Sequence, residues 1–211
     1  MIETPGSFAA RFPRLWRLAE RGSHQGIRRH GLLTAAQAAQ RAKHVLSDVP
    51  RRESIWVGLP DGTPVRITDN TPLSFGKLGP ALDDMSPAEW LAMLNDRVFF
   101  WPARTLGEGN LKARRRYGYD SEWQEYETLG LLASCWDRAE VAHINTGSTI
   151  HQPARRGRQT FAPLAGLDFE AWRRRRRDAG EIAGLDTPKE VTVRGGVSEA
   201  GRFLLNVLPC D

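Results

Sequence analysis

Apolar positions along this chain fall in short runs, each closed by a cap or turn signal, so the pattern predicts many short elements rather than a few long ones. Phe8, Phe12, Leu15, Trp16 and Leu18, interrupted by Pro13, predict a lead-in segment that ends in a short strand over 15–18. A short helix follows over 23–30, stopped by Gly31. Thr34 and Gln37 have the spacing of a capping box and start a helix that runs to about Ser47. The runs 54–59 and 63–68 flank Pro60-Asp61-Gly62, a hairpin signal. Ser86, Pro87 and Glu89 combine an N-cap, a proline at the first helical position and a side chain that reaches back, so a helix is expected over 87–94.

Strands are expected at 97–101, 123–129 and 139–144, with a basic helix over 111–116 and a short helix around Leu131 between them. Thr160 and Phe161 fall in a turn-rich stretch, and Asp168 caps an Arg-rich helix. Glu190-Val191-Thr192-Val193 alternates as a strand does, and a closing segment runs to Val207. Without a regular strand–helix–strand rhythm, this order reads as α+β rather than a doubly wound sheet. There is no internal repeat and no long Gly/Ser or Pro linker, so residues 1–211 read as one domain.

At 211 residues, with 40% apolar and 26% charged residues, the chain has material for a buried core. No apolar run is long enough to span a bilayer, no secretory leader opens the sequence, and two cysteines make no disulfide framework. The expectation is a soluble cytoplasmic protein with no membrane partner. Charge is unevenly placed. Residues 151–177 hold eight arginines against Asp168 and Glu170, a local +6, while the whole chain carries +5. A basic patch on a near-neutral body suits a polyanion such as nucleic acid; a solvated helix end accounts for it equally well.

Familiar chemical signatures are missing. There is no phosphate loop with Lys-Ser/Thr, no GxGxxG after a strand, no HExxH, no CxxC pair and no Gly-x-Ser-x-Gly. His24 and His30 flank a helix instead of sharing a face, and no metal is implied. Cys135, in the apolar run 131–134, is expected to pack in the core.

The order of several weak motifs carries more than any one of them. Leu15-Trp-Arg-Leu-Ala-Glu20 followed by Gly26-Ile-Arg-Arg-His-Gly-Leu-Leu33 resembles the opening of DarT-type DNA ADP-ribosyltransferases. Val65 to Leu73, Asp96-Arg97-Val98-Phe99-Phe100 and Glu190-Val-Thr-Val193 resemble successive segments of that family. A DarT-like bacterial group is closer still, sharing Leu94-Asn-x-Arg97-Val-Phe-Phe-Trp101, Ile144-Asn-x-Gly147, Arg156-Gly157-x-x-Thr160-Phe161 and Glu190-x-x-Val193. The resemblance runs from about Leu15 to Val207. It implies an ADP-ribosyltransferase-like split antiparallel β core with flanking helices, with NAD as substrate in its cleft.

The resemblance further implies a role for particular residues. Breaking the nicotinamide–ribose bond builds positive charge on the ribose, so a carboxylate there stabilises the transition state. Glu190 matches the family's catalytic glutamate, and Arg51 or Arg52 its catalytic arginine. Arg97 either contacts the cofactor or closes its strand; Phe99 and Phe100 alternate across a strand, so one packs in the core while the other, Phe99, lines the cleft, or both pack in the core. The family's first strand carries an NAD-contacting His; here the stretch is Leu15-Trp16-Arg17-Leu18, so Trp16 or Arg17 takes its place or NAD binding is lost. The stretch matching the family's DNA-ordering loop does not align, so the acceptor is not inherited. Asn145, Arg155 and Arg156 form a candidate acceptor-side surface, or a plain loop. A nucleobase or nucleic-acid acceptor, with an antitoxin or immunity partner, would accompany a transferase. A non-catalytic nucleic-acid-binding module on the same fold and an NAD glycohydrolase are the alternatives.

Overall fold

A computed structural model describes residues 2–150, 152–178 and 187–210. Eight α-helices appear among them: α1 (Pro5–Arg11), α2 (His24–His30), α3 (Ala35–Arg41), α4 (Phe75–Leu78), α5 (Pro87–Asn95), α6 (Glu108–Arg116), α7 (Thr128–Ala133) and α8 (Phe169–Asp178). The strands are β1 (Arg14–Glu20), β2 (Ile55–Gly58), β3 (Pro64–Ile67), β4 (Arg97–Phe100), β5 (Ser121–Glu127), β6 (Ala139–Ala142), β7 (Ala162–Pro163), β8 (Glu190–Arg194) and β9 (Leu204–Pro209). They form a three-stranded sheet in the order β1-β5-β9, a four-stranded sheet in the order β4-β8-β6-β7, and the separate β2–β3 hairpin. Every pairing within these sheets is antiparallel, and the chain is α+β.

The two larger sheets share one core. Leu15 and Tyr126 from the first, and Val98, Phe100, Val141, Val191 and Val193 from the second, pack together with Phe8, Ile27 and Leu131 from α1, α2 and α7. Phe100 and Tyr126 meet edge-on across the junction, with ring centroids 5.4 Å apart. Because side chains alternate along a strand, burying Val191 and Val193 here turns Glu190, Thr192 and Arg194 to the other face of β8. That face lies under α5, where Trp90, Leu91 and Leu94 form a second cluster with Ala142 and Phe161.

Local signals account for most element ends. Ser86 accepts from the Glu89 N–H while Glu89 accepts from the Ser86 N–H, which closes the α5 capping box. Gly31 stops α2 at φ 75°, and a Cβ there would sit 2.3 Å from the Ser198 carbonyl oxygen. The bridge between Leu32 and Val197 brings the two backbones that close. The Asp168 carboxylate accepts from the Ala171 N–H at the start of α8, as its position predicts.

The structure corrects the sequence reading in three places. The lead-in segment contains α1: Thr4 caps it in a reciprocal box with Ser7, Pro5 occupies the first turn, and the Phe8 and Phe12 rings meet one turn apart, tilted at 49° with centroids 5.0 Å apart. Helix α3 ends at Arg41 rather than near Ser47, because Lys43 adopts φ 54° and Val45 is left 88% exposed. Strand β5 stops at Glu127, whose carboxylate accepts from the Leu129 and Gly130 N–H groups and so begins α7. No helix among the described residues is long and apolar enough to cross a membrane.

Candidate functional site

Strand β8 is central in its sheet, with β4 on one side and β6 on the other. Its register pairs Val191 with Phe100 and Glu190 with Ala142. The β4–β8 pairing ends at Val191–Phe100, so Trp101, the residue after β4, leaves that ladder. Trp101 in turn bridges to Trp16 of β1 through N–H···O bonds of 2.7 and 2.8 Å. This bridge joins the two larger sheets next to the end of the β4–β8 pairing.

Glu190 is buried, at 6% exposure. Its carboxylate accepts from the Thr146 hydroxyl at 2.6 Å and from the Thr146 N–H at 3.2 and 3.3 Å. Burial pushes the carboxyl up to about 7; the Thr146 bonds and the nearby Arg156 charge pull the other way without cancelling it. At neutral pH such a group is divided between proton donor and base, the condition for acid–base work.

Arg156, a candidate for an acceptor-side surface or a plain loop, is instead buried, at 3% exposure. Its guanidinium donates to the carbonyls of Thr146, Ser148 and Ala154 at 2.9–3.2 Å and lies 5.7 Å from the Trp90 ring centroid. This arginine thus ties the loop holding Thr146, and so steadies Glu190. Asn145 and Arg155 are exposed, and Arg155 pairs with Asp83.

Arg97 is also buried beneath α5. It donates to both oxygens of Glu140, at 2.7 and 3.2 Å, and to the Met93 carbonyl at 2.7 Å, with Phe161 4.2 Å below it. Its charged nitrogens therefore close the sheet face. Phe99 is half-buried against the α5 cluster, while Phe100 is fully inside.

Arg51 donates to the Thr68 carbonyl at 3.1 and 3.2 Å and to the Asn95 side chain at 3.1 Å, near the end of α5. Its remaining Nη1 is buried without a hydrogen-bond partner, and burial lowers the pKa of the group. Arg52, next to it, is exposed. Trp16 and Arg17 point to opposite faces of β1. Trp16 meets Trp123 edge-on, with centroids 6.5 Å apart. Arg17 lines a cleft between β1, α2 and the β2–β3 hairpin, and Glu190 is not among that cleft's lining residues.

Sequence reasoning missed Thr146, whose side chain holds the carboxylate; its place one residue after Asn145 in a polar turn was the available signal. It also passed over Glu20, Arg66 and Arg114, which join Arg17 only through tertiary packing. Cys135 is buried and donates to the Leu131 carbonyl, and burial pushes its thiol up to about 11. Among the described residues no group of three or more His, Cys, Asp or Glu side chains is placed to hold a metal ion.

No curated protein and no solved structure matches the chain. One family model matches residues 13–204, which takes in Glu190, the cleft and every strand of the two larger sheets except β9, which begins where the match ends. The chain belongs to the DUF7002 family, a family of unknown function.

Proposed function

We propose that the protein is an NAD-dependent mono-ADP-ribosyltransferase with an ADP-ribosyltransferase-like split β core, acting on a nucleobase, nucleic acid or related acceptor. The observation that carries this reading is the buried Glu190 carboxylate at the head of a central strand, held by the Thr146 hydroxyl and N–H and pushed up to about 7 by burial.

In the reaction, the bond between ribose C1′ and the nicotinamide nitrogen breaks, and nicotinamide leaves with the electron pair. The acceptor attacks C1′ and loses a proton. Ionised Glu190 stabilises the oxocarbenium-like charge and takes up the acceptor's proton, while an arginine neutralises the diphosphate. Arg51, with one buried nitrogen unpartnered, has a free donor for that role; Arg52, exposed, is the alternative.

The test is nicotinamide release from NAD by purified protein, alone and with single-stranded DNA, duplex DNA, tRNA or nucleosides. Release that depends on one acceptor and disappears in folded Glu190→Gln supports the transferase. Release without any acceptor points to NAD hydrolysis. Full activity in Glu190→Gln removes Glu190 from the mechanism.

A second reading, a non-catalytic nucleic-acid-binding module, is favoured by Arg174, Arg175 and Arg177, which stand exposed on α8. It predicts DNA or RNA binding that weakens steeply with salt, and no nicotinamide release under any condition.

A further inference from the structure

The cleft between β1, α2 and the β2–β3 hairpin has a volume of about 340 Å³, and its walls include Arg17, Glu20, Trp56, Arg66 and Arg114. Its arginines are unevenly partnered. Glu20 accepts from both Arg66 and Arg114, so one carboxylate serves two guanidinium groups. Arg17 makes a single hydrogen bond, 3.3 Å to the neutral Gln124 side chain. Arg66 Nε is buried with no partner. The nearest other carboxylates are engaged elsewhere: Glu122 with the Gly22 N–H and His24, and Asp69 with Ser54 and Tyr119.

Burial is the main cause that lowers the pKa of Arg114; Arg66 and Arg17 repel it in the same direction, while Glu20 and Asp69 pull the other way. Glu122 offsets part of the charge on Arg17 and Asp69 part of that on Arg114, but the single 3.3 Å bond of Arg17 to a neutral amide and the unpartnered Arg66 Nε leave guanidinium donors at the cleft that an anion would satisfy. Guanidinium groups match phosphate oxygens in pairs, which makes phosphate the fitting anion. Trp56, 60% exposed on the hairpin, supplies a flat apolar wall to the same cleft.

We propose that this cleft binds the diphosphate of a small nucleotide, with Arg17, Arg66 and Arg114 clamping the phosphates and Trp56 stacking on the base. The clamp lies on the face of β1 opposite Trp16 and excludes Glu190, but it shares Arg17 with the transferase reading, which offers that residue as an NAD contact.

Isothermal calorimetry on the full chain, with ADP, inorganic pyrophosphate and adenosine as probes, tests it. ADP and pyrophosphate should bind, adenosine should not, and both affinities should fall as salt is raised. Arg17→Gln should weaken pyrophosphate at least tenfold, and Arg17→Lys should recover part of the loss. Trp56→Ala, a change at an exposed position, should weaken ADP several-fold and leave pyrophosphate unchanged, so it serves even if Arg17→Gln does not fold. No binding of ADP or pyrophosphate, equal affinity in folded Arg17→Gln, or equal ADP affinity in Trp56→Ala would overturn the proposal. Glu190→Gln should bind pyrophosphate as the parent does, so loss of nicotinamide release and loss of anion binding are read separately.

Discussion

Arg97 and Glu140 pair across the width of β8, although the strands that carry them do not touch. β4 and β6 flank β8, and the two side chains meet over it with Nε–Oε2 at 2.7 Å and Nη2–Oε1 at 3.2 Å. Thr192 and Arg194 of β8 itself also reach Glu140, at 3.4 and 3.2 Å. The network clamps three strands together next to Glu190. Removing one member of a buried pair leaves the other charged and unpaired. Glu140→Ala is therefore expected to lower stability by about 3–5 kcal/mol, measured by urea denaturation.

Glu190 makes stability depend on pH. Its folded value, about 7, lies above the ordinary 4.5, so the folded state holds a proton that the unfolded chain has released. Stability should be greatest below about 4.5 as far as this group is concerned, and fall as pH rises toward 7. The loss is on the order of 3 kcal/mol. Denaturation midpoints between pH 5 and 8 should show this slope in the parent and lack it in Glu190→Gln. If Glu190 acts in its ionised form, nicotinamide release should rise through the same range.

Gly31 should tolerate no side chain. At φ 75°, with a Cβ position 2.3 Å from the Ser198 carbonyl oxygen, alanine meets both backbone strain and a clash with main chain. Gly31→Ala is expected to cost at least about 1–2 kcal/mol, read as a drop in thermal midpoint. Gly22→Ala has the strain of φ 83° but no close neighbour, and should cost less.

The two thiols should differ in reactivity. Cys135 is buried with its thiol pushed up to about 11, whereas Cys210 is partly open. A thiol-specific reagent near neutral pH should label Cys210 in the native protein, and reach Cys135 only on unfolding. Equal labelling of both in the native state would show that the core around Leu131 opens.

Several elements were legible because their determinants are local. The Ser86–Glu89 box, the Gly31 stop, the Asp61-Gly62 hairpin and the Val191/Val193 alternation each lie within a few residues, and each forms as its spacing predicts. Helix α1 was legible too, in Thr4, Pro5 and Ser7, but Pro13 and the aromatic run drew attention to an extended path. The run of arginines at 173–177 could not be sorted in advance: Arg176 is buried over Trp172, while Arg174, Arg175 and Arg177 face water.

By itself, the sequence determined where short elements start and stop, which face of each strand is apolar, and that Glu190 heads a strand. Tertiary structure decided what surrounds the polar side chains. Arg156 and Arg97 are indistinguishable from surface arginines in sequence, yet packing under α5 buries both and gives them carbonyl and carboxylate partners. Arg17, Arg66 and Arg114 come from three separate segments and share a cleft only because β1 pairs with β5 while the hairpin folds over α2. The physical reason is range: caps and alternation act between near neighbours in the chain, whereas desolvation and charge coupling depend on contacts between distant segments.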